Sequence, residues 1–152
     1  MEYILQEKPQ GCIFCDKPKE NRDRENLILH RGVHCFVIMN FYPYNNGHLM
    51  VVPFRHTADL ADLRGEEQGE LMQLMGASVT ILSQTMAAQG FNIGMNLGRV
   101  AGAGVDDHLH FHIVPRWNGD TNFMPVTGHT KVLSQGLRES WELLKPMFQS
   151  SI

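Results

Sequence analysis

His108-Leu109-His110-Phe111-His112-Ile113-Val114-Pro115 alternates imidazoles with apolar side chains and ends on a proline. Successive side chains of a strand point to opposite faces, so a period of two predicts a strand over residues 108–114, closed by Pro115. His108, His110 and His112 then share one face, and Leu109, Phe111 and Ile113 face the core. Upstream, a Gly-rich loop covers residues 98–104. Before it Phe91, Ile93, Met95 and Leu97 alternate with Asn92, Gly94 and Asn96, a second strand. Leu71, Leu74, Met75, Leu82 and Met86 recur at helical spacing, which predicts a helix over residues 62–88, with Glu66, Glu67 and Glu70 near its start and Gly90 as its stop. Earlier still, residues 49–52 form an apolar run closed by Pro53. Residues 27–30 and 34–39 flank Arg31-Gly32-Val33, a hairpin signal. Residues 40–47 read as a loop ending in a tight turn, and the first 26 residues as polar and irregular. Downstream, Leu133, Leu137, Trp141 and Leu144 fall on one face of a C-terminal helix weakened by Gly136. The order strand, strand, strand, helix, strand, strand, helix predicts an α+β domain with an antiparallel sheet of about five strands, not a doubly wound fold.

Composition agrees with one globular unit. The chain has 152 residues, 43% of them hydrophobic and 19% charged, which excludes disorder and predicts a single domain over residues 1–152. A net charge of -3 gives no basic excess for nucleic acid. The apolar runs are too short to span a membrane. Residues 1–3 start no basic, apolar leader, and three cysteines suit no disulfide framework, which together predict a cytoplasmic protein.

Three imidazoles on one face allow two chemistries. One is a metal site, since His-x-His brings two ring nitrogens near one point. The other is nucleophilic catalysis, because neutral imidazole, with an ordinary pKa of about 6.5, attacks phosphorus at neutral pH. The glycines of Arg99-Val100-Ala101-Gly102-Ala103-Gly104-Val105 let backbone N–H groups approach an anion. Cys12 and Cys15, in Cys-x-x-Cys, are half of a zinc site or a redox pair. The redox reading needs a helix starting after Cys12, which the sequence does not clearly offer. Cys35, in an apolar run, reads as a buried small hydrophobe, and His30, His34 and His129 fall in no usable pattern.

The heptad from His108 to Val114 resembles the pattern of the histidine-triad (HIT) superfamily of nucleotide hydrolases and transferases at every position. Asn40-Phe41-Tyr42-Pro43-Tyr44-Asn45-Asn46-Gly47-His48-Leu49-Met50-Val51-Val52-Pro53-Phe54-Arg55-His56 resembles the same family's Asn…Pro…Gly-His…Pro…His segment. Pro115-Arg116-Trp117-Asn118-Gly119-Asp120-Thr121-Asn122-Phe123-Met124 is similar to the tail of its diadenosine-polyphosphate phosphorylase and ATP adenylyltransferase-like branch.

The resemblance implies a HIT-like sheet with one long helix and a C-terminal helix. It makes His110 the nucleophile, attacking the α-phosphorus of a nucleotide to give a covalent nucleotidyl-histidine. It places His112, Asn96, Gly104 and Val105 around the phosphate, and Asn40 at the ribose. Arg116 and Trp117 become candidates for phosphate and base contacts. Some relatives carry Ser or Thr where this chain has Val105, so any hydroxyl contact there is lost. In zinc-bearing relatives the remaining ligands resemble His56 and His108, which completes a set of Cys12, Cys15, His56 and His108. His48 matches the Gly-His position, with a structural role sufficient to explain it.

The leading function is a nucleotidyltransferase or phosphorylase of dinucleoside polyphosphates, with inorganic phosphate as acceptor and no organic cofactor. The same His110 with water as acceptor gives a hydrolase of nucleotidyl polyphosphates or phosphoramidates. A third reading is a non-catalytic, zinc-stabilised nucleotide-binding module. The family's habit of pairing through sheet extension implies a homodimer.

Overall fold

The computed structural model describes residues 11–105, 107–120 and 129–151, with the backbone alone for 129–135. Residues 1–3, residues 121–124 of the tail, and the side chains of His129 and Leu133 lie outside the described residues. In chain order the elements are α1 (Ile13–Lys19), α2 (Asp23–Asn26), β1 (Ile28–Arg31), β2 (Cys35–Met39), β3 (Leu49–Pro53), α3 (Gly65–Met86), β4 (Gly90–Gly94), β5 (Phe111–Arg116) and α4 (His129–Ser151). The strands form one sheet in the order β1-β2-β3-β5-β4, every neighbour antiparallel. The α+β expectation holds.

The sheet has two buried faces. On one, Leu29, Val37, Leu49, Val51 and Ile113 pack with Leu71, Leu74, Ile81 and Leu82 of α3 and Leu144 and Phe148 of α4. On the other, Ile28, Phe36, Ile38, Met50 and Val52 pack against Cys12 and Phe14. Two-sided burial explains why β2 and β3 read as continuous apolar runs rather than alternating ones.

Several local expectations are corrected. Of the first 26 residues, the described part from Ile13 onward is not irregular; it forms α1 and α2, because Phe14 and Cys12 cover the second sheet face. The first two triad histidines precede β5, which runs through Pro115 to Arg116. Pro115 lacks an N–H but is tolerated there, because the ladder with β3 ends at the Leu49–Ile113 pair and Asn45 takes the Pro115 carbonyl. Helix α3 starts at Gly65, where the Glu67 carboxylate accepts the Arg64 N–H at 2.9 Å. It ends on Ala87 in the left-handed conformation, and Gly90 opens β4 instead of stopping the helix.

Two devices fix the hairpin and the loop that carry the site. The Glu70 carboxylate accepts the backbone N–H groups of Val33, His34 and Cys35 at 2.8–3.2 Å. A Cβ at position 32 would collide with that carboxylate, so glycine is required. Gly47, at φ +77°, lets the chain turn against Met86 immediately before His48. Asn45 donates to the Pro115 carbonyl at 3.1 Å and to Asp120 at 2.6 Å, which pins the same loop to the end of β5.

Candidate active site and metal centre

β5 lies between β3 and β4, and its register puts His112 opposite Met50 and Gly94. Leu109 and Ile113 enter the core on the opposite side, with Phe111 packed against it, so the three imidazoles share one face as the alternation predicts. Their surroundings differ. His108 turns to the N-terminal segment, whereas His110 and His112 line a cavity of about 600 Å³. Asn40, Asn96, Gly104 and Val105 line the same cavity, with Phe14, Lys17 and Tyr44.

Hydrogen-bond partners fix the protons on the rings. His110 Nδ1 sits 2.9 Å from the His108 carbonyl, which only accepts, so Nδ1 carries the hydrogen and Nε2 keeps its lone pair. The Tyr44 N–H donates to His48 Nδ1 at 3.1 Å, which leaves the hydrogen of that ring on Nε2. His48 Nε2 then donates to His112 Nδ1 at 2.8 Å, so His112 presents an N–H at Nε2. Burial, and then the neighbouring imidazoles, hold His48 down to about 3 and His112 to about 4. Burial also lowers His110. At neutral pH the cavity therefore presents uncharged rings: one electron pair on His110 and one donor on His112. That pairing suits attack on an electrophilic phosphorus with hydrogen bonding to its oxygens. Among the described residues nothing accepts from the Gly104 or Val105 N–H.

The other predicted contacts divide. Asn96 lies past the end of β4, with its Nδ2 beside Gly102. Asn40 Oδ1 accepts the Tyr42 N–H at 2.8 Å, a turn-forming bond, while its amide lies 3.5 Å from His48 Nε2. Arg116 and Trp117 are not among the cavity residues. The Arg116 guanidinium is held by Asp120 at 3.0 Å and by Asn92 at 2.7 Å, and Trp117 donates to the Met86 carbonyl at 3.1 Å. Those bonds tie β5 to β4 and α3. Sequence reasoning left His48 without a chemical role and did not single out Lys17, Phe14 or Tyr44. The Gly-His match pointed to His48, but its partnership with His112 depends on β3–β5 register.

Cys12, Cys15, His56 and His108 form a second cluster, their ligand atoms all within 4.8 Å of one another. His108 Nδ1 is 3.3 Å from Cys12 Sγ, 3.5 Å from Cys15 Sγ and 3.2 Å from His56 Nδ1. Cys15 Sγ is 3.3 Å from His56 Nδ1. These separations approach the edges of about 3.3–3.8 Å expected for a tetrahedron of two thiolates and two imidazoles around zinc. His108 Nε2 donates to the Pro53 carbonyl at 2.8 Å, which leaves Nδ1 as a lone pair aimed into the cluster. Burial, then the adjacent Cys12, push the Cys15 thiol up to about 11; a bound cation reverses that direction. A helix does begin directly after Cys12, contrary to expectation, so local structure alone does not disfavour a redox pair. The convergence of two histidines on the same sulfurs favours a metal.

Comparison with known proteins places this geometry. The model of the HIT domain matches residues 21–119, more than half of the chain. The chain belongs to the HIT domain family. This HIT protein is 44% identical over 122 residues to an AP-4-A phosphorylase of Mycobacterium tuberculosis (strain H37Rv), with 80% of the chain covered. It spans 63% of that relative's length. It is 30% identical to an adenosine 5'-monophosphoramidase of Schizosaccharomyces pombe, covering 71% of this chain and 76% of that one. Among solved structures, a zinc-bound histidine triad family protein from Mycobacterium smegmatis superposes with a TM-score of 0.72 at 26% identity. That match covers 91% of this chain and 94% of the other.

Proposed function

We propose that this HIT protein is a nucleotidyltransferase that cleaves dinucleoside polyphosphates, such as diadenosine tetraphosphate, by phosphorolysis. The observation that carries the reading is the uncharged His110, its Nδ1–H held on the His108 carbonyl and its other nitrogen left to the cavity. In the first step His110 Nε2 attacks the α-phosphorus. The N–P bond forms, the P–O bond to the leaving polyphosphate breaks, and the electron pair departs with that oxygen. The His108 carbonyl stabilises the charge that develops on the ring. His112 donates to a phosphate oxygen, and the Gly104 and Val105 N–H groups supply further donors. Asn96 is assigned to the phosphate and Asn40 to the ribose. In the second step an oxygen of inorganic phosphate attacks, the N–P bond breaks, and ADP is released. We assign no substrate role to Arg116 or Trp117, whose polar groups are engaged with Asp120, Asn92 and Met86.

Zinc is the proposed occupant of Cys12, Cys15, His56 and His108. It would supply a rigid tie between α1 and the segment carrying His110, without touching substrate. Residues 1–152 are read as one domain. No helix among the described residues is long and apolar enough to cross a membrane, and a cytoplasmic location is the accompanying proposal. A homodimer through the β4 edge is supported by the exposed Ile93 of that strand and the exposed Leu97 three residues beyond its end.

A second reading, a hydrolase of nucleotidyl polyphosphates or phosphoramidates, draws on the likeness to the phosphoramidase and uses water in the second step. Diadenosine tetraphosphate supplied with and without phosphate separates the two. ADP plus ATP, dependent on phosphate, supports phosphorolysis; AMP plus ATP supports hydrolysis. If neither pair forms, the substrate class is wrong.

A further inference from the structure

The cavity carries a charge that the proposed reaction does not use. Ile38 lies opposite Met50, and Met50 opposite His112, so these three make one row across the sheet. With strands about 4.8 Å apart, Ile38 is roughly 10 Å from His112. Ile13, Phe41 and Lys17 line the same cavity as Ile38. Lys17 Nζ sits 3.7 Å from the centre of the Phe41 ring. It makes no ion pair among the described residues, and it is the single Lys, Arg, Asp or Glu of the cavity lining among them.

We propose that Lys17 is a specificity-determining residue that reads the nucleobase, donating from Nζ to its edge and favouring guanine over adenine. The inference rests on the nucleotide reading above. With the phosphorus held at His110 and His112, a nucleoside extends along the row toward Ile38, and the flat base meets the apolar walls. An ammonium offers three donors and no acceptor. Guanine presents two adjacent acceptors, N7 and O6; adenine presents N7 beside the N6 amino donor, which faces the ammonium with like polarity. The Phe41 ring already holds the ammonium, so little side-chain entropy remains to be lost on binding.

Calorimetric titration of wild type, Lys17→Met and Lys17→Arg with GMP and AMP tests this. Wild type should bind GMP on the order of tenfold tighter than AMP. Lys17→Met should bring the ratio close to one by weakening GMP, and Lys17→Arg should keep the preference. A ratio unchanged in Lys17→Met overturns the inference, as does equal weakening of both nucleotides, which would mean that Lys17 meets phosphate. If wild type binds neither nucleotide, the nucleotide reading itself fails and takes this inference with it.

Discussion

His48 Nε2 lies 2.8 Å from His112 Nδ1, and this contact determines which nitrogen of His112 faces the cavity with a hydrogen. His48 is itself set by the Tyr44 N–H, and the loop carrying both is pinned to β5 by Asn45. His48 is therefore a positioning residue in the account given above.

His48→Ala is expected to lower kcat by about tenfold to a hundredfold, with a smaller change in KM. It also lets water reach His112, whose burial is the main cause of its low value, so the acid limb of the kcat–pH profile should move upward. An unchanged profile would confine His48 to packing. Steady-state kinetics from pH 5 to 9 read both effects.

Acid stability follows from the same two rings. Folding holds His48 at about 3 and His112 at about 4, below the ordinary 6.5. The unfolded chain takes up these protons first as pH falls. Their contribution is complete above about 6.5 and is lost progressively toward the folded values. Urea midpoints should be level between pH 7 and 8 and fall between pH 6.5 and 4.5. The fall should be shallower in His112→Asn.

Much of this was legible in the sequence because it depends on spacing. The triad alternation, the long helix and the α+β order are periodic signals. The N-terminal helices were not legible. Cys12 and Phe14 are ordered by a sheet face built from residues 28–52, and no local pattern announces that face. The bonds of Arg116 and Trp117 were not legible for a related reason: motif similarity suggests substrate contacts, while Asp120, four residues on, and Met86 of α3 are the partners that the fold supplies. Cys35 is buried, as its apolar run predicts.

Metal content gives an independent check on the second cluster. Elemental analysis of protein purified without chelator should find one zinc per chain, and Cys15→Ser should lose it and lower Tm. More than one zinc per chain, with His110 ligated, would favour the non-catalytic binding module.

Glu70 accepts three backbone N–H groups of the β1–β2 turn and does not line the cavity of His110 and His112. Glu70→Ala should destabilise the fold by about 2–3 kcal/mol in urea unfolding while leaving kcat at 25 °C near wild type. A loss of stability under about 0.5 kcal/mol would show that water replaces the carboxylate at little cost.

Intact-mass analysis of protein quenched within milliseconds of mixing with diadenosine tetraphosphate, followed by peptide mapping, tests the nucleophile most directly. The account predicts an acid-labile adenylyl group on His110, absent from His110→Asn along with turnover. An adduct on another residue, or undiminished turnover by His110→Asn, contradicts it.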